Sequence, residues 1–456
     1  MKPGRNDTCP CGSGKKYKKC CKNISSVSSQ ATGHLQAAPL HKADAFHNNI
    51  TKDIELNFLG RAELDCRSLL DGGQEDAQAL NALGLIAWKV QKRSLAADYF
   101  RRAVASAPEW PIPQNNLVAV ETELAGKTPV NTAALPGKQQ RFIVIKAWGH
   151  GFWSDVDHVA GGLLLAEITG RIPVIHWGSN SLFSDNPACS AFNTYFEPVS
   201  DMSVDGLVKM EHDYFPSKWS ALNLRDKNFE AWESRYSRMS TLYFMDRTET
   251  VVVSDFHLGV VNLVPWIERG HPLHGLPIDD LYRYIFAKYL KPVKAVRDRV
   301  DDFYNKHLAG GPFVAVHVRG SDKHGEFPDL DEVNLQYFSH IDKFVPDSKW
   351  HIFLLTDSQP VADTFTKKYG NRLVLTDSLR SADNIGIHYN SAHSNKSQLG
   401  YEVMIDTYLA AKADRFIGNG ASNVSCVVGY LKNWNSGEYT LLVPNMHHHM
   451  NYFIYR

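Results

Sequence analysis

Short apolar runs punctuate the chain from residue 141 onward. FIVI follows Arg141, and IPVI, FVAV, IFLL, LVL and RFI begin at residues 172, 313, 352, 373 and 415. Runs this short and this uniformly apolar are the pattern of strands buried on both faces of a parallel sheet. Stretches of helical period separate them, and strand alternating with helix predicts an α/β domain. Residues 52–126 carry helical period without a strand-like run and predict an all-helical segment. Residues 23–51 and 127–139 lack sustained period, are rich in small and polar residues or in Pro and Gly, and predict linkers. Residues 1–22 form a separate Cys/Lys/Gly-rich unit.

Within the helical segment, Ala77 serves as the first position of a unit of about 34 residues. Leu80, Leu83, Gly84, Ala96, Phe100, Ala103 and Pro108 then fall at the packing positions of a tetratricopeptide repeat, which this stretch resembles. Gly84 and Ala96 are the small residues at a close helix–helix approach, Phe100 fills the space between the helices, and Pro108 ends the second. One repeat length before Ala96 stands Ala62, so 53–71 reads as the second helix of a degenerate preceding unit. Residues 111–126 read as the first helix of a following one. Such a segment either binds a protein partner or is a helical hairpin packed on the large domain.

Composition narrows the function. The chain has 456 residues, with 49 Lys+Arg against 49 Asp+Glu, so it lacks the basic surplus of a dominant nucleic-acid binder. No apolar run reaches the roughly 18 residues of a membrane span. The basic N-terminus lacks the apolar core of a secretory signal, so the expected compartment is the cytoplasm.

Seven cysteines are present, and four of them, Cys9, Cys11, Cys20 and Cys21, fall within thirteen residues. Four thiolates suit a closed tetrahedral zinc site, and zinc binding would supply folding free energy to a unit too small to build a core. GRNDTCPCGSGKKYKKCC resembles the SEC-C zinc motif found at the C-terminus of the preprotein translocase ATPase. The resemblance implies a structural zinc, and the motif with the helical segment suggests a protein partner and a polypeptide acceptor near translation or export, an oligosaccharide acceptor being equally compatible.

Chemistry concentrates at strand ends. In an open α/β sheet, ligands bind beyond the carboxyl ends of strands. After 141–146 comes Gly149-His-Gly151-Phe-Trp-Ser-Asp155, where the two glycines let backbone N–H groups approach a ligand ahead of a helix over 159–168. Asp155-Val-Asp157 matches a DxD metal pattern. However, Asp155 stands where a carboxylate caps a helix N-terminus, and no further hard oxygen ligands are nearby. After FVAV the chain turns polar at once: His317-Val-Arg319-Gly-Ser-Asp322-Lys323-His-Gly325-Glu326. A guanidinium there suits a diphosphate. Asp357 and Asp377 follow two later strands, Asp377 as an expected helix cap. Ser422 closes a Gly418-Asn-Gly420-Ala-Ser422 loop before a short helix. The tract Met446-His-His-His449-Met450 cannot turn three adjacent rings to one ion and reads as a loop near an acceptor cleft.

VHVRGSDK, HIFLLTDS and GYEVMIDTYLAAKADRFIGNGASNVSCVVGYL resemble, in order, the motifs of the fucosyltransferase superfamily. GHGFWSDVDHV followed by TGRIPVIHW is similar to its Gly-rich opening, and LYRYIFAKYLKPVKAVRDRVDDFY to its helical bridge. The resemblance implies a GT-B fold of two Rossmann-like lobes, 140–300 and 301–456, with GDP-fucose as donor, inversion at the anomeric carbon and no catalytic metal. It makes Arg319 the donor-phosphate arginine and His317 the histidine near the nucleotide. Asp406 reads the guanine edge, Ser422 lies at the phosphate loop, and Asp357 is the strand-end acid. Glu326 lies one residue from the family's base position, Asp322 is a second carboxylate there, and Lys323 would assist Arg319. Many members carry a second arginine where this chain has Gly320. The acceptor is a glycan or a polypeptide hydroxyl. The competing expectation is a tethered interaction protein, in which the zinc motif and helical segment do the work and the sugar-nucleotide domain turns over weakly.

Overall fold

The computed structural model describes residues 40–71, 73, 75–126, 140–228, 241–320, 330–345, 347–382, 386–387 and 395–449. Five helices come first: α1 (Leu40–Glu55), α2 (Leu59–Leu70), α3 (Ala77–Lys89), α4 (Arg93–Ser106) and α5 (Pro111–Gly126). The Asp76 carboxylate caps α3 by accepting the Ala79 N–H at 2.8 Å. Phe100 on α4 is fully buried and lies against Gly84 on α3, as the spacing of small and large residues predicts. The helical segment starts earlier than its sequence pattern indicates. Residues 40–51, expected as linker, belong to α1, which buries Ile50 and Ile54 once the other helices are present.

The rest is α/β. Strands β1 (Phe142–Lys146) and β2 (Ile172–His176) flank α6 (Phe152–Thr169), which begins a full two turns before the expected residue 159. Short helices α7 (Phe192–Tyr195) and α8 (Val204–Leu207) precede β3 (Tyr214–Phe215) and β4 (Val251–Ser254). Helices α9 (Ile278–Tyr289) and α10 (Lys294–His307) lead to β5 (Phe313–His317), and α10 runs straight through the boundary expected at residue 300. Then come α11 (Leu330–Phe344), β6 (His351–Leu355), α12 (Gln359–Tyr369), β7 (Leu373–Val374), α13 (Lys396–Ala411), β8 (Arg415–Gly418), α14 (Asn423–Leu431) and β9 (Tyr439–Leu441). No helix follows Asp377, so it caps none; the chain there crosses toward α13 instead.

Two wholly parallel sheets result, ordered β2-β1-β4-β3 and β7-β6-β5-β8-β9. Both faces of each are covered, and the strand period of two divides the residues between them. Ile143 and Ile145 face the large central core, while Phe142 and Val144 face a smaller cluster with Trp219 and Leu224. Likewise Phe313 and Ala315 join the central core, and Val314 and Val316 pack under α11 and α12 with Tyr337 and Phe365. The central core also takes in the buried residues of α1–α4, so the helical segment and the first sheet share one interior.

One close approach bears on the site. A Cβ added at Gly161 of α6 would stand 1.8 Å from the Leu258 carbonyl oxygen, a backbone atom that cannot swing away. The segment after β4 therefore lies directly on α6. Gly161→Ala should destabilise the protein by about 1–3 kcal/mol and displace residues 257–259. A wild-type melting temperature would contradict this.

Candidate active site

The carboxyl ends of β1, β4, β5, β6 and β8 converge on one cleft of about 760 Å³. Its walls include Gly151 after β1, His257 after β4, His317 and Arg319 at and after β5, Asp357 after β6, Asp406 on α13 and Ser422 after β8. Met446, His447 and His449 close one side. The strand-end rule thus operates in both sheets at once.

Arg319 is held at both ends. The Asn334 side chain donates to its backbone carbonyl at 3.0 Å, and its Nη1 lies 2.7 Å from Asp357 Oδ2. Asp357 Oδ1 also accepts the Gly320 N–H at 3.1 Å. Gly320 has a local reason: a Cβ there would stand 2.7 Å from the Ser358 Cβ and 3.0 Å from Val361. A second arginine at this position requires α12 to move.

His317 is buried, with Nδ1 2.7 Å from the Ser425 hydroxyl. Burial, aided by the Arg319 charge, pushes its pKa down to about 3, so the ring is neutral. Asp406 accepts the Thr376 hydroxyl at 2.7 Å, and burial raises its pKa to about 6. Ser422 is the N-cap residue of α14, but its hydroxyl makes no bond to the helix. It lines the cleft instead, at the positive end of the helix dipole.

Gly149 departs from expectation. It takes a φ of +94°, and its N–H is spent on Asp155 Oδ1 at 2.8 Å. Gly149 is therefore not among the cleft-lining residues, whereas Gly151 is. Asp155 caps loop amides rather than the orphan N–H groups of its own helix. Burial raises its pKa to about 7, against the pull of the Gly149, His150 and Trp148 amides. Asp157, two positions on, points to a different side of α6. Its carboxylate lies 2.8 Å from His257 Nε2, accepts the Tyr282 hydroxyl and stands 4.0 Å from His447 Nδ1. Burial opposes its charge, but His447, His257 and Tyr282 hold its pKa well below the usual carboxylate range. The two acids of the DxD pattern are thus separately engaged, and no group of metal-ligating side chains gathers among the described residues.

The Asp157–His257–Tyr282–His447 cluster is what the sequence reading missed. His257 comes three residues after β4, as Arg319 comes two after β5, so a strand-end signal existed for His257 alone, though not for its pairing with Asp157. The histidine tract, expected as a loop near an acceptor cleft, is a 3₁₀ turn (Met446–His448) at the edge of the cleft: His447 is buried and His448 pairs with Asp279 at 2.6 Å. Cys9, Cys11, Cys20, Cys21, Asp322, Lys323 and Glu326 lie outside the described residues.

Over 288 residues the chain is 25% identical to nodulation protein Z of Sinorhizobium fredii, covering 59% of this chain and 83% of that one. Over 300 residues it is 24% identical to nodulation protein Z of Bradyrhizobium diazoefficiens, covering 61% and 75%. Over its large region the chain is thus similar to proteins of the fucosyltransferase superfamily. The SEC-C motif model matches residues 5–23 ahead of it. A crystal structure of NodZ α-1,6-fucosyltransferase soaked with GDP-fucose superposes with a TM-score of 0.46 at 22% identity, over 64% of this chain and 92% of that one. No helix among the described residues is long and apolar enough to cross a membrane.

Proposed function

We propose that the protein transfers fucose from GDP-fucose to an acceptor hydroxyl with inversion, the two sheets acting as the lobes of a GT-B enzyme. The observation that carries this reading is Arg319. A fixed guanidinium at the end of a buried strand shares a cleft with the N-terminus of α14, a neutral histidine and a buried carboxylate on α13. Charge builds on the departing GDP as the glycosidic bond breaks, and Arg319 with the Ser422 end of α14 meets it there. The positive charge comes from side chain and helix, so no catalytic metal enters the scheme. The order of the motifs and the curated relatives support the donor class.

Asp406 supplies the test. An ionised carboxylate accepts two N–H groups from a guanine edge, a pair that uracil lacks, and the mismatch costs roughly 1–3 kcal/mol. Calorimetry on the full chain should show GDP bound more tightly than UDP, and Asp406→Ala should abolish the preference. The pKa of Asp406 is raised to about 6, so the reading carboxylate is present above that pH and lost below it. GDP affinity should therefore fall as the pH drops from 7.5 to 5. Equal affinity for the two nucleotides at pH 7.5 would refute the assignment.

The SEC-C motif is read as a structural zinc site on Cys9, Cys11, Cys20 and Cys21. One zinc per chain is expected by metal analysis after purification without chelator, and a value near zero would remove it. With the helical segment, it is proposed to engage a protein partner.

A further inference from the structure

Besides His317 the cleft is lined by His150, His257, His447 and His449, and among them His257 has an enclosed ring nitrogen without a partner. Asp157 is held ionised, so its carboxylate only accepts, and the His257 Nε2 facing it at 2.8 Å carries a proton. In the neutral ring the lone pair is then on Nδ1. That atom is enclosed and has no hydrogen-bond partner among the described residues. It is an acceptor without a donor, on a residue that lines the cleft, and because the atom itself is enclosed an acceptor oxygen reaches it only once the ring shifts toward the cleft.

The other enclosed titratable groups of the cleft are committed. Asp357 holds Arg319, and Asp406 holds Thr376. His317 bonds Ser425, and both nitrogens of His447 are engaged, Nδ1 with Tyr430 at 3.2 Å and Nε2 with Asn423 at 2.6 Å. His257 is also fixed from below. His158 Nδ1 accepts the N–H of the next residue, Leu258, at 3.1 Å, and Gly161 allows α6 to touch the Leu258 carbonyl. Trp148 packs its ring 4.7 Å from the imidazole. A base oriented by a carboxylate and screened from bulk water is the arrangement that proton abstraction requires.

We propose that His257 is the general base of the transfer, with Asp157 as its positioning residue. The acceptor O–H gives its proton to Nδ1 while its oxygen forms a bond to the anomeric carbon of the donor sugar. The bond from that carbon to the diphosphate oxygen breaks, and its electron pair leaves with GDP. The imidazolium so formed sits against the Asp157 carboxylate and returns its proton to solvent after GDP departs. This places the base in the first sheet and the arginine in the second, with the sugar between them. It replaces the expectation that Glu326 or Asp322 is the base, and it rests on the donor reading above.

The base acts only as the neutral ring, so acid should slow the reaction. The charged and titratable groups facing it are Asp157 and His158 from α6, Tyr282 from α9 through Asp157, His447 from the C-terminal segment, and His150 across Trp148.

The experiment follows GDP release from GDP-fucose by the full chain, with water as acceptor, across pH. His257→Gln keeps an N–H for Asp157 and should fold, checked by melting temperature. It should slow release by about a hundredfold, remove the acidic limb of the profile and leave GDP affinity unchanged. Should that variant melt early, His257→Ala with added imidazole takes its place, and recovery of rate by imidazole is the expected result. A His257→Gln rate and acidic limb like wild type, or loss of the limb in Glu326→Gln or Asp322→Asn instead, overturns the assignment. Wild-type chain that neither binds GDP nor consumes GDP-fucose overturns the donor reading and the base with it. Consumption with an unchanged limb in His257→Gln overturns the base alone.

Discussion

Arg319→Ala should lower the turnover of GDP-fucose by about 10²–10³-fold while weakening GDP binding far less. The residue sits two positions after a fully buried strand, and its backbone carbonyl is bonded to Asn334, so the guanidinium has a fixed origin. In the proposed transfer its contact with the diphosphate strengthens as charge develops, which would place the loss in the transition state rather than in the ground state. Arg319→Lys should recover little, because a point charge cannot reproduce the fork that spans Asp357 and a phosphate. Chelator should leave the wild-type rate unchanged over the assay. Steady-state rates and calorimetry on the same preparations check the split. Near-wild-type turnover in Arg319→Ala, or a rate that collapses with chelator and returns with manganese, would shift the mechanism to a metal.

Glu63→Ala should destabilise the protein by about 3–5 kcal/mol, among the largest effects of any single change outside the cleft. Glu63 on α2 is fully buried and accepts Arg67 Nη2 at 2.7 Å and Arg67 Nε at 2.9 Å. It also accepts the Trp266 indole N–H at 3.1 Å, from the segment that follows β4. Burial works against the Arg67 charge, but Tyr99 and Glu63 raise its pKa well above the ordinary value. Removing the carboxylate leaves a guanidinium enclosed between α2, α4 and Trp266 without its counter-charge. Glu63→Gln should recover only the bond to Trp266. Urea unfolding of the variants measures both. A loss below about 1 kcal/mol would mean water reaches Arg67.

The strands were legible because burial on both faces leaves uninterrupted apolar runs, and β1, β2, β5, β6, β7 and β8 lie within a residue or two of the patterns that mark them. Helix α1 was not, because only Ile50 and Ile54 of its described hydrophobic side chains are buried and its sequence is otherwise polar. It is helical through its contacts with α2 and α3. Of the second-sheet residues singled out, His317, Arg319, Asp357, Asp406 and Ser422 meet in one cleft, since each belongs to a recognisable strand end or motif. The Asp157–His257 pair escaped because its members stand 100 residues apart and only the fold brings them together. Gly149 misled for a related reason: its amide is consumed by Asp155, a bond that loop spacing alone does not reveal.

The Arg319–Asp357 pair bears on how a catalytic cycle ends. A lone guanidinium would hold GDP tightly after transfer, and the cleft would empty slowly. Asp357 lies 2.7 Å from the guanidinium, so in the proposed cycle the arginine would pass between two anions rather than between an anion and water. On that reading the carboxylate would be a resident competitor for the product. Asp357→Asn should then tighten the grip on GDP and turn departure of the spent nucleotide into the slow step, a brake visible as a burst of product followed by a slower steady rate.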